Sequence, residues 1–290
     1  MNVQEVINIL IKNGIIQNGD VEVKELKGGT VSKLYLINTN HGLKVVVKQN
    51  LPEIIKAEAL YLNIYQDVEF LPNLLYVEEH FHFMVYSYID GSTNRKGLRK
   101  KEMVAELVTH LINHYKPFPN SENWGWVDEQ TDSWNRFLLQ RVEAAEKWVK
   151  PYLTSEDVLL VRHLVESKSR TSVSNVPYLL HGDCGIHNFI FQDGKFIGVI
   201  DPMPVLGPPL YDVIYAFCST PDELTKSALL STVANLLYKE GISEMELFEE
   251  MVIGLFLRIS TCVKHHPTEL KDYQLAWKYW KNILNNCHEV

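Results

Sequence analysis

YLLHGDCGIHNFIFQDGKFIGVIDPMPVLGPPLYD, residues 178–212, is the stretch around which the rest of the chain is organised. In it, Asn188 lies five positions after Asp183, and Asp201 follows after two short apolar runs. In such a set one carboxylate can face an attacking hydroxyl, while the amide and the second carboxylate hold Mg²⁺ through oxygen. The arrangement therefore predicts a phosphoryl-transfer site.

Two β-prone runs, 188–191 and 196–200, lie on either side of Asp193-Gly194. An Asp-Gly pair between apolar runs is a strong signal for a tight hairpin. Pairing these strands would bring Asn188 and Asp201 to the same end of the ribbon, although they are distant in sequence. The hairpin is thus the element that we expect to assemble the site.

The composition indicates a folded protein of more than one ordinary domain. The chain has 290 residues, of which 46% are hydrophobic and 11% aromatic, so it can bury a sizeable core. The net charge of -8 and the isoelectric point near 5.8 argue against a nucleic-acid binder, whose surface is normally basic. An acidic surface could instead attract a cationic substrate.

Sequence signals of zinc, disulfides, secretion and membranes are missing. The four cysteines show no CxxC spacing, which favours reduced thiols. The start of the chain, MNVQEVINILIKNGII, is not a signal peptide, because it lacks a basic segment followed by an apolar core. No apolar run approaches the roughly 20 residues of a membrane span. We therefore expect a cytoplasmic protein that contacts neither membrane nor nucleic acid.

The order of elements predicts two lobes. A helix at 3–13 precedes strands between Val21 and Ile89, and after Gly91 the chain becomes mostly helical. The helices are expected at 99–115, 134–150, 155–168, 209–217, 221–239, 244–265 and 269–286. We expect an N-terminal nucleotide-binding lobe at 1–90, and a C-terminal helical lobe at 91–290 that carries the catalytic loop and the acceptor site.

The motifs in the organising stretch resemble those of a known superfamily. The pattern is HGD at 181–183, then Asn188, then Asp201 at a strand end, then Gly-x-Pro-x-Tyr-Asp at 207–212. It looks like the aminoglycoside phosphotransferase and choline kinase superfamily, whose members are relatives of the protein kinases. Asp-Pro-x-Pro at 201–204 looks most like the streptomycin and hygromycin kinase branch. The resemblance implies an α+β, protein-kinase-like bilobal fold.

The resemblance also implies nucleotide-binding residues in the first lobe. Gly28, Gly29 and Ser32 are similar to the loop that covers the nucleotide. Lys48, at the end of a strand, and Glu58, on the following helix, match the ion pair that aims a lysine at the α- and β-phosphates of ATP.

By the same resemblance, the segment before Asp90-Gly91 is the linker between lobes, where main-chain groups hold adenine. The expected contacts are the Ser87 carbonyl and the Ile89 N–H. Side-chain identity carries little information at these positions.

Roles in the catalytic stretch follow from the HGD motif. Asp183 would orient and deprotonate the acceptor hydroxyl, while Asn188 and Asp201 would bind Mg²⁺. His181 and Asp212 resemble residues that support the loop from beneath. Pro202 replaces the phenylalanine that follows the metal-binding aspartate of protein kinases, which argues against a protein substrate.

Residues 123–134 form a predicted loop rich in tryptophan and acid. Its three indoles could pack between the lobes. They could instead edge the acceptor pocket, where rings stack on a sugar or cation and Asp128, Glu129 or Asp132 meets an amine.

The sequence thus predicts a kinase that uses Mg²⁺ and ATP, or GTP, to phosphorylate a hydroxyl of a small molecule. An aminoglycoside, another sugar or amino alcohol, homoserine and choline all remain candidate acceptors. The alternatives are a catalytically silent pseudokinase that binds nucleotide or scaffolds a partner, and a protein kinase.

Overall fold

The computed structural model describes residues 2–19, 21–26, 32–95, 97–118, 121–167, 176–239 and 242–288. Over these ranges the protein has a β-sheet lobe followed by a mostly helical lobe, which confirms the expected fold class.

The first lobe is built on one antiparallel sheet of five strands. Its strands are β1 (Val21–Leu26), β2 (Lys33–Thr39), β3 (Lys44–Gln49), β4 (Leu74–Val77) and β5 (Phe83–Ser87). They are ordered β1-β2-β3-β5-β4, so that β3 lies at the centre. The central position explains why three consecutive valines in β3 are buried, since both faces of the strand are covered.

Two helices cover this sheet. Helix α1 (Val3–Lys12) begins at a capping box formed by Asn2 and Glu5, and it buries Val6, Ile7 and Leu10. These side chains form a small core with the sheet, which includes Val45 and Val47. Helix α2 (Pro52–Ile64) begins with proline at its first turn and lies between β3 and β4 in the chain.

The second lobe contains the remaining elements. Its helices are α3 (Lys100–His110), α4 (Trp134–Val149), α5 (Ser155–Glu166), α6 (Leu210–Cys218), α7 (Lys226–Val233), α8 (Glu244–His265) and α9 (Leu270–His288). Its strands are β6 (Trp124–Trp126), β7 (Gln130–Thr131), β8 (Tyr178–Leu180), β9 (Phe189–Gln192), β10 (Lys195–Val199) and β11 (Val205–Gly207). None of the helices in the described ranges is both long and apolar enough to cross a membrane.

The predicted hairpin is present as β9 and β10. Phe189 pairs with Val199, so the strands bring their outer ends together as the sequence predicts. The turn residues Asp193 and Gly194 have positive φ angles of 50° and 77°. Such angles match the twist of a tight hairpin, which is why an Asp-Gly pair suits this position.

Between β5 and α3 the chain lies against the β9–β10 hairpin next to Gly91. Ser92 N donates to Phe191 O at 2.9 Å, and Phe191 N donates to Ser92 O at 2.7 Å. A Cβ atom on Gly91 would lie 2.6 Å from Ile190 Cγ2. Glycine is therefore needed for the linker to lie against the hairpin.

Two predicted helices are shorter than expected. The helix predicted at 221–239 begins only at α7, because Glu223 has a φ angle of 51° and Thr225 provides the N-terminal cap. The carboxylate of Asp222, in the expected first turn, accepts a hydrogen bond from Arg95 at 3.0 Å. The helix predicted at 99–115 ends at His110 and continues as a single 3₁₀ turn.

The tryptophan-rich segment was expected as a loop but contains strands. β6 pairs with β11, and β11 pairs with β8, in a small sheet ordered β7-β6-β11-β8. The prediction was wrong because β6 finds its partner far along the chain, after Asp201, and a local pattern carries no signal of that pairing.

Candidate active site

A cleft of about 800 Å³ lies where the sheet lobe meets the hairpin and the small sheet. Its walls come from both lobes. Five residues that the sequence assigns to ion pairing, metal binding or proton transfer line it together: Lys48, Glu58, Asp183, Asn188 and Asp201.

Lys48 reaches the cleft from the end of β3 and is only 2% exposed. Its Nζ lies 2.5 Å from Glu58 Oε1 and also contacts Asp201 Oδ1. Burial would lower the pKa of Lys48, but the charges and hydrogen bonds of Glu58 and Asp201 outweigh it and raise the pKa. The lysine therefore stays charged at neutral pH, held between two carboxylates.

Asp183 projects into the cleft from the loop after β8, and three side chains contact its carboxylate. Tyr215 Oη donates to Oδ1 at 2.5 Å, Asn188 Nδ2 donates to Oδ2 at 2.9 Å, and His187 Nε2 lies 3.2 Å from Oδ2. Burial would raise the pKa of Asp183, but His187 and Tyr215 outweigh it and lower the pKa to about 2. The carboxylate is therefore ionised throughout the physiological range.

The amide of Asn188 is fixed by the same loop. Asn188 ends a 3₁₀ turn, and its Nδ2 donates to both Asp183 O at 3.0 Å and Asp183 Oδ2. Because the amide nitrogen is used in this way, Oδ1 is the atom left to bind a cation.

Asp201 follows β10 and has a φ angle of 62°, in the left-handed region. The main chain on both sides of it is hydrogen-bonded to the segment 181–188, which carries Asp183. Ile200 N donates to Asn188 O at 2.9 Å, and Met203 N donates to His181 O at 2.9 Å. The chain must turn sharply between these two bonds, and aspartate is among the residues that tolerate a positive φ.

A buried carboxylate supports the loop from beneath. Asp212, at the start of α6, is fully buried and accepts from His181 N at 2.9 Å, from Gly182 N at 3.1 Å and from Tyr115 Oη at 2.6 Å. Burial raises the pKa of Asp212 to about 6, against the lowering effect of these donors. Asp212 thus fixes the main chain next to Asp183, as the family resemblance implies.

The imidazole of His181 is neutral, and it supports the same loop by hydrogen bonds. Asp183 N donates to its Nδ1 at 3.3 Å, so Nε2 carries the hydrogen and donates to Ile200 O at 3.2 Å. Burial lowers the pKa of His181 to about 4. Gly182, with a φ of 79°, lets the loop pass close to Met203, because a Cβ atom there would lie 1.9 Å from Met203 O.

Of the three residues predicted to cover the nucleotide, the structure describes Ser32. Gly28 and Gly29 lie outside the described residues. Ser32 lines the cleft, and its Oγ accepts from Asn50 Nδ2 at 2.8 Å.

Of the segment predicted to hold adenine, Tyr88 lines the cleft, whereas Ser87 and Ile89 are not among the lining residues. Ser87 ends β5, and its Oγ accepts from Asn73 N at 2.8 Å. The side chain of Ile89 packs against Gly198 of the hairpin. Tyr88, between them, lines the cleft.

The sequence did not single out Tyr215, the donor to Asp183 Oδ1. Tyr215 lies one helical turn after Tyr211 on α6, and residues four apart share a helix face. That spacing, together with the position of Asp212 at the helix start, was the available signal.

The acidic tryptophan segment is divided between core and cleft. Trp124 and Trp134 pack against the main hydrophobic core, as in the lobe-packing interpretation. Trp126, Asp128 and Glu129 line the cleft, as in the acceptor-pocket interpretation.

Comparisons with known proteins point to one family. The family model of the phosphotransferase enzyme family matches residues 22–248. None of the curated proteins matches the chain in sequence.

Several solved structures share the fold at low identity. A Thermobifida fusca protein assigned as a fructosamine-3-kinase is 18% identical, with a TM-score of 0.62 over 95% of this chain and 99% of that chain. An aminoglycoside phosphotransferase bound to ADP and hygromycin B is 16% identical, with a TM-score of 0.61 over 96% and 97%. Choline kinase from Cryptosporidium parvum is 12% identical, with a TM-score of 0.61 over 99% and 96%.

These likenesses confirm the resemblance to the aminoglycoside phosphotransferase and choline kinase superfamily. Since the family model covers most of the chain, the protein belongs to the phosphotransferase enzyme family.

Proposed function

We propose that the protein transfers the terminal phosphoryl group of ATP or GTP to a hydroxyl group of a small molecule, with Mg²⁺ bound at the cleft. The observation that carries the proposal is the meeting of Lys48, Asp183, Asn188 and Asp201 in one cleft. Phosphoryl transfer needs positioned charge more than covalent help from the protein, and this set supplies it.

The donor set suits magnesium. The Asp201 carboxylate is 41% exposed, and Asn188 keeps its Oδ1 for a ligand because its Nδ2 is bonded to Asp183. Mg²⁺ prefers such hard oxygen donors and is commonly held by one or two protein ligands together with phosphate oxygens and waters. When bound, the ion would neutralise charge that develops on the phosphates.

Asp183 would act on the acceptor. Its carboxylate would accept a hydrogen bond from the acceptor hydroxyl and so align the oxygen for attack. As the new O–P bond forms and the bond to the nucleoside diphosphate breaks, the hydroxyl proton passes to Asp183. Because its pKa is about 2, this carboxylate is a weak base, and alignment is its main contribution.

Lys48 would bind the nucleotide phosphates, with Glu58 holding it in place. Its contact with Asp201 would be exchanged in part for phosphate oxygens. We assign adenine to the Ser87 carbonyl and the Ile89 N–H, and the phosphate cover to the segment of Gly28, Gly29 and Ser32. We also propose that the boundary between the two lobes lies between residues 90 and 91.

The acceptor would enter beside Trp126, Asp128 and Glu129, where an aromatic face and two exposed carboxylates suit a hydroxylated molecule with an amine. A small acceptor is favoured over a protein, because β11 begins at Val205, soon after Asp201, and leaves little chain for an activation loop.

The proposal is tested by coupled release of ADP or GDP across a panel of hydroxylated amines and sugars. We expect turnover that needs Mg²⁺, and a loss of turnover in Asp183→Asn. Tight nucleotide binding without turnover of any acceptor would instead indicate a pseudokinase.

A further inference from the structure

The imidazole of His187 lies in the cleft beside the proposed catalytic carboxylate. The side chain lines the cleft and is 58% exposed, so it is not held there by burial in a core. Its Nε2 lies 3.2 Å from Asp183 Oδ2. Because an ionised carboxylate only accepts hydrogen bonds, Nε2 carries a hydrogen and is the donor. An exposed imidazole thus donates a hydrogen bond to Asp183.

Most of the accepting capacity of Asp183 is already in use. An ionised carboxylate offers about four lone-pair sites. Tyr215 Oη donates to Oδ1, while Asn188 Nδ2 and His187 Nε2 both donate to Oδ2. In the part of the chain that the structure describes, these three side chains use three of the four sites. One site is left for the hydroxyl of an acceptor.

Gly185 makes the space in which the imidazole lies. A Cβ atom on Gly185 would lie 2.4 Å from His187 Cε1 and 2.6 Å from His187 Nδ1, distances that side chains essentially never show. The main chain of Gly185 is fixed within the loop. Its N donates to Asp183 O at 2.8 Å, and its O accepts from Asn188 N at 2.9 Å. An added Cβ atom would therefore displace the exposed ring and not the backbone.

The backbone conformation at position 185 does not itself require glycine. Gly185 has a φ angle of -91° and a ψ angle of 154°, which any residue adopts. Apart from the two His187 atoms, the nearest atom to the added Cβ would be Tyr215 Cε1 at 3.5 Å, an ordinary contact. An alanine here should thus remove the imidazole from Asp183 and leave the bonds from Tyr215 and Asn188 in place.

We propose that His187 is a positioning residue for phosphoryl transfer, and that Gly185 gives its imidazole the room to act. The imidazole holds the Asp183 carboxylate at Oδ2, so that the one remaining site faces the acceptor hydroxyl in a fixed orientation. The role needs the N–H of the ring and no change in its protonation. It rests on the proposed function and adds two residues to that site.

The test is a double-mutant cycle at positions 185 and 187. The variants are Gly185→Ala, His187→Ala, the double variant, and His187→Gln, whose amide N–H can replace the Nε2–H. Gly19→Ala, where an added Cβ atom would have nothing within 4 Å, is the matched control. Streptomycin, L-homoserine and choline are tried as acceptors, and kcat and KM are measured from ADP release with Mg²⁺ for the one that is turned over fastest.

We expect His187→Ala to lower kcat about threefold to tenfold with little change in the KM of the acceptor, because the bond that is lost aligns Asp183 and does not bind the acceptor. Gly185→Ala should lose as much, and the double variant should lose no more than either single variant. His187→Gln should recover part of the loss, and Gly19→Ala should match the wild type.

The proposal is overturned if His187→Ala keeps the wild-type kcat, if His187→Gln recovers nothing, or if the losses of the two alanine variants multiply in the double variant. A higher kcat/KM in His187→Ala would also overturn it, because the imidazole would then compete with the acceptor for Oδ2.

Failure of the kinase function would give a different result, which is no turnover of any acceptor by the wild type. A cycle between His187→Ala and Asp183→Ala, measured by chemical denaturation, tests the contact without turnover. Coupling of about twofold to tenfold in the unfolding equilibrium constant would support the hold on the carboxylate. Independent effects of the two substitutions would overturn it.

Discussion

The two sides of the catalytic loop carry the same kind of side chain in opposite environments. On the cleft side, Asp183 receives hydrogen bonds from neighbouring side chains, and its pKa is lowered to about 2. On the underside, Asp212 is fully buried, and its pKa is raised to about 6. Asp183 is a negative charge that faces the cleft. Asp212 instead holds the main chain of the loop in place by hydrogen bonds.

The contrast shows that function here follows from environment and not from residue type. Burial disfavours the ionised form of both carboxylates, and each accepts a hydrogen bond from a tyrosine, but only Asp183 also has an imidazole side chain beside it. The carboxylate oxygens of Asp212 accept hydrogen bonds from the N–H groups of His181 and Gly182. Substitutions on the cleft side should therefore affect turnover first, and those on the underside should affect folding.

Asp183→Asn should give the largest effect. The amide keeps the size of the side chain but cannot accept the hydroxyl proton, so kcat should fall by a factor of about 10²–10⁴. Nucleotide affinity, measured by calorimetry, should change little. Asp193→Asn, at the exposed tip of the hairpin, is the matched control and should keep full activity. A rate for Asp183→Asn close to that of the wild type would remove Asp183 from its role.

Lys48→Met tests a residue that belongs to both environments, because Lys48 lines the cleft and is also buried. It removes the cation that favours the ionised form of Glu58, whose pKa burial already raises to about 7, so Glu58 should take up a proton and the free energy of unfolding should fall by about 1–3 kcal/mol. Adding Glu58→Leu should restore much of the stability but not nucleotide binding. Lys44→Met, on the same strand at the surface, is the control. Normal nucleotide binding by the double variant would contradict the role of Lys48.

Asp212→Asn tests the buried carboxylate that supports the loop at His181 and Gly182. One carbonyl oxygen cannot replace two carboxylate oxygens that accept from His181, Gly182 and Tyr115, so the free energy of unfolding should fall by about 1–3 kcal/mol. Chemical denaturation measures the loss. Unchanged stability with abolished turnover would mean that Asp212 belongs to the cleft chemistry.

The difference in the free energy of unfolding between the wild type and Asp212→Asn should change with pH in one direction. Because the folded protein raises the pKa of Asp212 from 3.8 to about 6, it holds this proton more tightly than the unfolded chain does. The wild type should therefore lose stability relative to Asp212→Asn as the pH rises from about 4 to about 6. Denaturation of both proteins across this range measures the effect, and a constant gap would contradict the raised pKa.

Tyr215→Phe should give the smallest effect. It removes one hydrogen bond to Asp183, so the pKa of that carboxyl should rise while the His187 contact remains. Turnover should fall by roughly tenfold or less. Because the ionised carboxylate is needed, activity should be lost at a higher pH on acidification than in the wild type. An identical acidic limb in the pH–rate profile would show that the phenol does not act on Asp183.

The sequence was a good guide where the signal was local. Asp193-Gly194 predicts the hairpin, and the apolar runs on each side of it set a pairing that brings Asn188 near Asp201. The ion pair between Lys48 and Glu58 was expected from the family motif, and the structure contains it.

Contacts between distant segments could not be read in this way. Pairing of β6 with β11 depends on a partner far along the chain, and the donation from Tyr215 to Asp183 depends on how α6 lies under the loop. The helix predicted to begin at Pro221 begins only at Lys226, because Asp222, in its expected first turn, pairs with Arg95 and Glu223 has a positive φ angle. In each case a tertiary contact overrides a local preference.

Binding of a non-hydrolysable ATP analogue, measured by calorimetry with Mg²⁺ and with a chelator, tests the central claim most directly. If Asn188 and Asp201 hold the cation at the cleft, the wild type should bind the analogue about tenfold or more tightly with Mg²⁺, a gain of about 1.4 kcal/mol or more. Asp201→Asn should lose most of that gain. Equal affinity with and without Mg²⁺, or an unchanged gain in Asp201→Asn, would contradict the account.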